Sequence, residues 1–296
     1  VGEVTNIGWV DGGSTFNMAI GCSKISPGCD HCYAEKTGKR FGTPWGPGVP
    51  RRYFSDKHWD EPLRWARTAK AAGKNTLVFC SSLADVFDNE HAQSHRDRLW
   101  ALIKTTPHLT WLILTKRVGN VPAMLPADWG DGYPNVWLGI SVVNQEEADR
   151  DIPKLLRLKA VVRFLSIEPM LACMDISQHL SFGYCPEHDF DSGFCLERDH
   201  AGVHHIDWVI VGGESGSKAR LFDLQWAEQI VAQCRDQEVP FFMKQLGANP
   251  VTFVSVDGEP RQVPYPIIDA KGAVMNDWPA ELRIQQFPES YERAGT

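Results

Sequence analysis

Three cysteines fall within eleven residues, Cys22, Cys29 and Cys32, in the spacing C-x6-C-x2-C. Pro27 and Gly28 turn the chain just before the second, and a helix-like run, Tyr33 to Arg40, follows the third. Such a loop can aim three thiolates at one point. Structural zinc is normally closed by four protein ligands, whereas an iron–sulfur cluster with one iron left free of cysteine can bind a small molecule there. The loop therefore reads as a cubane 4Fe-4S site with an open iron. A zinc knuckle completed by His31 or a distant ligand, and three unrelated buried thiols, are the competing readings. Eight cysteines in 296 residues, with no cleavable apolar leader at Val1–Val10, point to a reducing cytoplasm. There, clustered cysteines bind metals or do chemistry and rarely form disulfides.

The elements that position this loop lie in an ordinary globular composition, 43% hydrophobic and 23% charged. The length suits one large α/β domain or two small ones. No apolar run approaches the roughly 20 residues needed to span a bilayer, so no membrane partner is expected. A net charge of −7 excludes a uniformly basic nucleic-acid binder, leaving only a local positive patch. The stretch from Lys36 to Phe54 offers one. Its five basic residues (Lys36, Lys39, Arg40, Arg51, Arg52) and four aromatics alternate with Gly and Pro and no acid. It can lie along a phosphate backbone with its rings stacked on bases, or be a solvated surface loop.

From residue 59 short apolar runs alternate with helical ones. Strands are expected at Phe16–Ile20, Thr76–Cys80, Thr110–Thr115, Val136–Val142, Ala160–Ile167, Asp207–Val211 and Val239–Lys244. Helices are expected at Trp59–Ala72, Glu90–Thr106, Glu146–Leu158 and Leu224–Gln237. Nearly continuous apolar strands between helices mean a parallel sheet covered on both faces. With no Gly-x-Gly-x-x-Gly fingerprint, the expected fold is α/β, a partial or full (β/α) TIM-type barrel. Each strand ends in polar residues: Ser81–Asp85, Thr115–Arg117, Ser141 with Asn144, Ser166–Glu168, Gly212–Ser215 and Lys244–Gln245. The C-terminal rim of such a barrel carries its chemistry.

Residues 1–248 are thus expected to form the barrel domain, interrupted by a polar insertion at 181–206, with 249–296 as an irregular C-terminal extension. The extension is expected to form a small hairpin or cap including Trp278 and Phe287. Cys185, His188, Cys195 and His200 in the insertion are a candidate zinc set, against a histidine-rich surface excursion.

The cysteine loop, Leu114–Arg117 (LTKR), Leu165–Pro169 (LSIEP), Trp208–Gly216 (WVIVGGESG) and Pro240–Gln245 (PFFMKQ) together resemble the phage-type three-cysteine proteins. That family is similar to the radical S-adenosylmethionine (SAM) superfamily, on its spore photoproduct lyase-like side. The resemblance covers about residues 7–248. It implies a partial TIM barrel, a 4Fe-4S cluster on Cys22, Cys29 and Cys32, SAM at the open iron, and a flavodoxin- or ferredoxin-type electron donor. The cytoplasm would be that of a bacterium or phage-infected cell. Two positions depart from the superfamily pattern: its common loop is C-x3-C-x2-C, and the usual aromatic before the third cysteine is His31 here.

For the rest of a SAM site, Glu168 and Glu214 can accept from ribose or ammonium, and Ser141 and Asn144 can bond ribose. Gly212 and Gly213 permit close backbone approach. Lys116 or Arg117 can pair with SAM's carboxylate or a substrate phosphate; an ion pair between Glu168 and Lys116 is the competing reading. Cys80, at a strand tip, is either a hydrogen-atom donor or a buried structural thiol. Lys116, Glu168 and Cys80 are the catalytic candidates. The expected function is a radical SAM enzyme acting on a nucleic-acid base, in phage DNA modification or repair. The alternatives are a peptide or small-metabolite substrate, or a zinc- or cluster-stabilised nucleic-acid-binding protein without catalysis.

Overall fold

A computed structural model describes residues 5, 7–10, 12–181, 183–184, 194–195 and 204–293. In chain order it opens with β1 (Ser14–Phe16), β2 (Ala19–Ile20), a 3-10 turn at Pro27–Cys29, α1 (Tyr33–Arg40) and β3 (Arg52–Tyr53). Then come α2 (Asp56–Trp59), α3 (Glu61–Ala71), β4 (Thr76–Cys80), α4 (Gln93–Thr105), β5 (Leu109–Thr115), α5 (Val121–Met124), β6 (Val136–Ser141), α6 (Gln145–Leu156) and β7 (Val162–Ile167). After α7 (Ser177–Ser181), two short strands, β8 (Gly183–Tyr184) and β9 (Phe194–Cys195), pair antiparallel. The chain continues through β10 (Trp208–Gly212), β11 (Phe222–Asp223), α8 (Leu224–Asp236), β12 (Phe241–Gln245), β13 (Pro250–Val256), β14 (Glu259–Pro264) and α9 (Glu289–Arg293).

The fold is α/β, with the strand–helix alternation of a partial TIM-type barrel. Its seven-stranded parallel sheet has the order β1-β4-β5-β6-β7-β10-β12. By contacts the chain divides into two compact units, Val1–Ile140 with Leu158–Arg163 and Glu289–Thr296, and Ser141–Arg157 with Phe164–Pro288.

In the first unit β4 pairs parallel with β1 and β5, and β5 with β6. Every residue of β6 is buried, as is every residue of β5 except Leu114. That is the pattern of strands covered on both faces. α3 begins with Pro62 in its first turn, where a missing N–H is harmless, and buries Trp65, Ala66 and Ala69 on one stripe. The expected strand Phe16–Ile20 is instead two strands. Asn17, 1% exposed, breaks it: its side-chain oxygen accepts from Leu83 N at 2.6 Å, and its carbonyl meets His58 Nε2 at 2.9 Å.

In the second unit β10 pairs parallel with β7 and β12. α6 is capped by Asn144, whose side chain accepts from Glu147 N at 2.9 Å, while the Glu147 carboxylate accepts from Val143 N at 3.1 Å. This exchange is a near relative of the capping box. Beyond Gly247 the chain forms the antiparallel hairpin β13–β14, with β13 also parallel to β11. It then returns along β12: Met243 N donates to Ile284 O at 2.8 Å and Gln286 N to Phe241 O at 2.9 Å. Phe287 packs on Trp208 and Phe242, with ring centroids 5.3 and 5.4 Å apart. The expected cap is therefore a strip that covers a sheet edge. Among the described residues no helix is long and apolar enough to cross a membrane.

Candidate functional site

The cysteine loop is built by local backbone bonds and two buried arginines of the first unit. Ser26 Oγ accepts from Gly28 N at 3.0 Å, and Cys29 N donates to Ser26 O at 2.9 Å, forming the turn that Pro27 and Gly28 predict. Cys32 N then donates to Cys29 O at 3.3 Å, so these two cysteines flank one tight turn, and Cys32 sits at the N-cap position of α1. Lys24 bridges the arms of the loop, donating to Asp30 O at 3.1 Å and pairing with Glu35 at 3.1 Å. The three thiols are half-buried and free of disulfides.

Two aspartates of the segment after β4 anchor the arginines. Asp88 pairs with Arg51 at 2.7 Å, and Arg51 donates to Ser23 Oγ at 2.8 Å and Gly46 O at 2.9 Å. Asp85 pairs with Arg117 at 3.1 Å and also accepts from Thr115 Oγ1 at 2.8 Å and Lys116 N at 3.1 Å. Arg117 in turn donates to Cys22 Sγ at 3.3 Å and Ser23 O at 2.8 Å. Burial, with Asp85 nearby, pushes the Cys22 thiol up to about 12 against the opposing pull of Arg117. Gly21 has φ +125°, and a Cβ there would meet Arg51 Cδ at 3.0 Å, so the chain enters the loop through a glycine position.

These supports went unread in the sequence. Asp85 appears there only as the end of a polar strand tip, and Asp88 not at all. The available signal was a pair of acids three residues apart directly after a buried strand. Arg117, expected to face SAM's carboxylate or a phosphate, faces Asp85 and Cys22. Arg51, read as lying along a phosphate backbone or on a solvated loop, has a side chain that is 0% exposed, which fits neither. Tyr53 stacks on His95 at 3.4 Å and Phe54 packs on His58 at 4.4 Å, so both rings are occupied within the protein. Lys36, Lys39, Arg40, Phe41 and Arg52 stay at the surface. Cys80 is fully buried, and burial pushes its thiol up to about 12. Lys116 donates its backbone N–H to Asp85, and its side chain is half-buried, as is His31.

In the second unit the strand ends carry the other predicted residues. Ser141 closes β6 and is 5% exposed; Asn144 is the α6 cap. Glu168, just beyond β7, pairs with Lys244 of β12, so the cation in the ion pair is not the Lys116 of the competing reading. Glu168 lies over Gly212, where a Cβ would meet its Cγ and Cδ at 3.5 Å. Glu214 forms a two-pronged pair with Arg220, at 2.7 and 3.1 Å. The close approach that the second glycine permits is to the chain itself: a Cβ on Gly213 would lie 2.2 Å from Leu246 O. Cys185, His188 and His200 lie outside the described residues, and only the backbone of Cys195 is described.

Among the described residues no three His, Cys, Asp or Glu side chains are drawn together tightly enough to hold a metal ion. Three half-buried thiols on one loop, with a guanidinium on one sulfur, are of the donor type that an iron–sulfur cluster takes.

The chain belongs to the family described as Protein of unknown function (DUF5131), whose model matches residues 4–263. No curated protein matches it. Among solved structures, a spore photoproduct lyase variant with bound AdoMet and dinucleoside spore photoproduct is 14% identical, with a TM-score of 0.40 over 52% of this chain and 45% of that one. A second spore photoproduct lyase variant is also 14% identical, with a TM-score of 0.40, over 56% and 48%. The chain thus spans less than half the length of each.

Proposed function

We propose that the chain is a radical SAM enzyme acting on a nucleic-acid base. The observation that carries this reading is the three-cysteine loop, braced by the Arg51–Asp88 and Arg117–Asp85 pairs. Cys22, Cys29 and Cys32 would hold a 4Fe-4S cluster, which when bound supplies the electron for reductive cleavage of SAM. Of the individual side chains, Ser141 and Asn144 are of a type to bond ribose, Glu168 and Glu214 to accept from ribose or ammonium, and His31 to stack on adenine. Lys116 is assigned to a substrate phosphate, and Cys80, held neutral by burial, to hydrogen-atom donation. The electron would come from a flavodoxin- or ferredoxin-type protein.

The surface of α1 supports the nucleic-acid class. Tyr33, Lys36 and Arg40 recur at helical spacing on one face, and Tyr33 and Phe41 are 54% and 57% exposed. Exposed rings between exposed cations suit a single strand that stacks its bases and lays its phosphates on the charges.

The test is anaerobic purification with iron, sulfide and zinc counts, beside Cys29→Ala. A brown protein with about four irons per chain, bleached by the substitution, is expected. With SAM, dithionite and single-stranded DNA it should release 5′-deoxyadenosine. A colourless protein carrying zinc would defeat the reading and favour a binding module without catalysis.

A further inference from the structure

Arg117 is held in a way its charge alone does not require. Asp85, 6% exposed, takes bonds from Thr115 Oγ1, Lys116 N and Phe87 N before it reaches the guanidinium, so its position is set by the end of β5 and its own loop. The guanidinium spends one nitrogen on both Asp85 and Cys22 Sγ, at 3.1 and 3.3 Å, and the other on Ser23 O at 2.8 Å. Its side chain is 8% exposed, so water screens it little. A donor fixed on a cysteine sulfur by a buried carboxylate is the arrangement by which surrounding residues orient metal ligands and tune the metal.

We propose that Arg117 is a positioning residue that orients Cys22 and sets the reduction potential of the cluster bound there. This rests on the iron–sulfur reading above. Reduction adds one negative charge to the cluster and its thiolates. A hydrogen-bonded guanidinium on one of those sulfurs stabilises the reduced state more than the oxidised one, so it raises the potential. Asp85 limits that effect by partly neutralising the guanidinium while fixing its direction.

The test compares reconstituted full-length wild type, Arg117→Gln and Arg117→Lys. The readouts are iron and sulfide content, circular dichroism, and an anaerobic redox titration followed by electron paramagnetic resonance. Arg117→Gln is expected to keep the fold and bind a cluster of more negative midpoint potential, with an altered reduced-state spectrum. Arg117→Lys, with its charge but without the planar fork, should fall between. If the Gln variant does not fold, the Lys variant decides: a shifted potential supports the proposal and an unchanged one overturns it. Coincident potentials and spectra in folded variants, beside a wild type that does carry a cluster, overturn this inference and leave the functional reading standing. A wild type that takes up no iron overturns both.

Discussion

Arg51 and Arg52 are neighbours in sequence with opposite fates, and stability should separate them. The Arg51 side chain is 0% exposed and its partner Asp88 3%. Arg51→Ala leaves a buried carboxylate without its counter-charge, at a cost of about 3–5 kcal/mol. The exposed Arg52 side chain donates to Phe41 O at 2.8 Å and to no other described residue, so Arg52→Ala should stay within about 0.5 kcal/mol. Urea unfolding of the two variants checks this; equal losses would contradict the burial of Arg51. His91 predicts a pH dependence in the same region. The residue is 3% exposed, its ring meets Tyr53 Oη at 3.3 Å through Nδ1, and its Nε2 has no hydrogen-bond partner among the described residues. Burial pushes its pKa down to about 4 from 6.5, with Asp88 and Asp85 opposing and Arg51 and Arg96 assisting. Between those values the unfolded chain binds more protons than the folded one. The contribution is therefore complete above about pH 6.5 and lost as the pH falls toward 4, on the order of 3 kcal/mol in all. His91→Gln should flatten wild-type stability against pH across that window; an unchanged slope would sink the assignment.

At the scale of elements, apolar runs made β4, β5 and α8 readable almost to the residue, because a strand buried on both faces or a one-sided helix writes its period into the sequence. What long-range polar contacts decide was not readable there. Helix α4 starts at Gln93 rather than Glu90, since the residues before it form the loop that carries Asp85 and Asp88. The break between β1 and β2 depends on Asn17 reaching Leu83, a contact 66 positions away. The three cysteines were legible because their spacing is local; the arginines bracing them were not, because their partners lie on another strand's loop. Gly212 and Gly213 looked equivalent and are not. An added Cβ at Gly213 would lie 2.2 Å from the carbonyl oxygen of Leu246 and 2.7 Å from its carbon, so backbone must move. At Gly212 the nearest atoms are the Glu168 side chain at 3.5 Å, an ordinary contact. Gly213→Ala should lower stability by about 3 kcal/mol or more, and Gly212→Ala by less than about 1. Thermal unfolding of the pair checks this, and similar melting curves would show that β10 and the chain after β12 are not so closely packed.

For the whole molecule, the tail beyond Gly247 separates a domain boundary drawn from composition from one drawn from contacts. Its proline, aspartate and glycine content and lack of period read as an extension to the barrel. Yet it supplies main-chain partners to the last strand of the sheet: Leu246 N donates to Gly272 O at 2.9 Å, Met243 N to Ile284 O at 2.8 Å, and Phe241 O accepts from Gln286 N at 2.9 Å. Trp208 Nε1 donates to Gln286 O at 2.8 Å, and Trp278 and Leu282 are 1% and 0% exposed. The outer edge of an apolar end strand such as Phe241–Gln245, left uncovered, is a template for pairing with other chains, and proteins cover such edges. A chain cut after Ala248 would uncover that strand along with Trp208 and Phe242. The expected outcome is a product that aggregates or elutes in the void volume on size exclusion, while a chain ending at Pro288 stays soluble and unfolds cooperatively. Should residues 1–248 instead run as a folded monomer with the full chain's melting temperature, the strip would be an attachment, and β12 would need no cover.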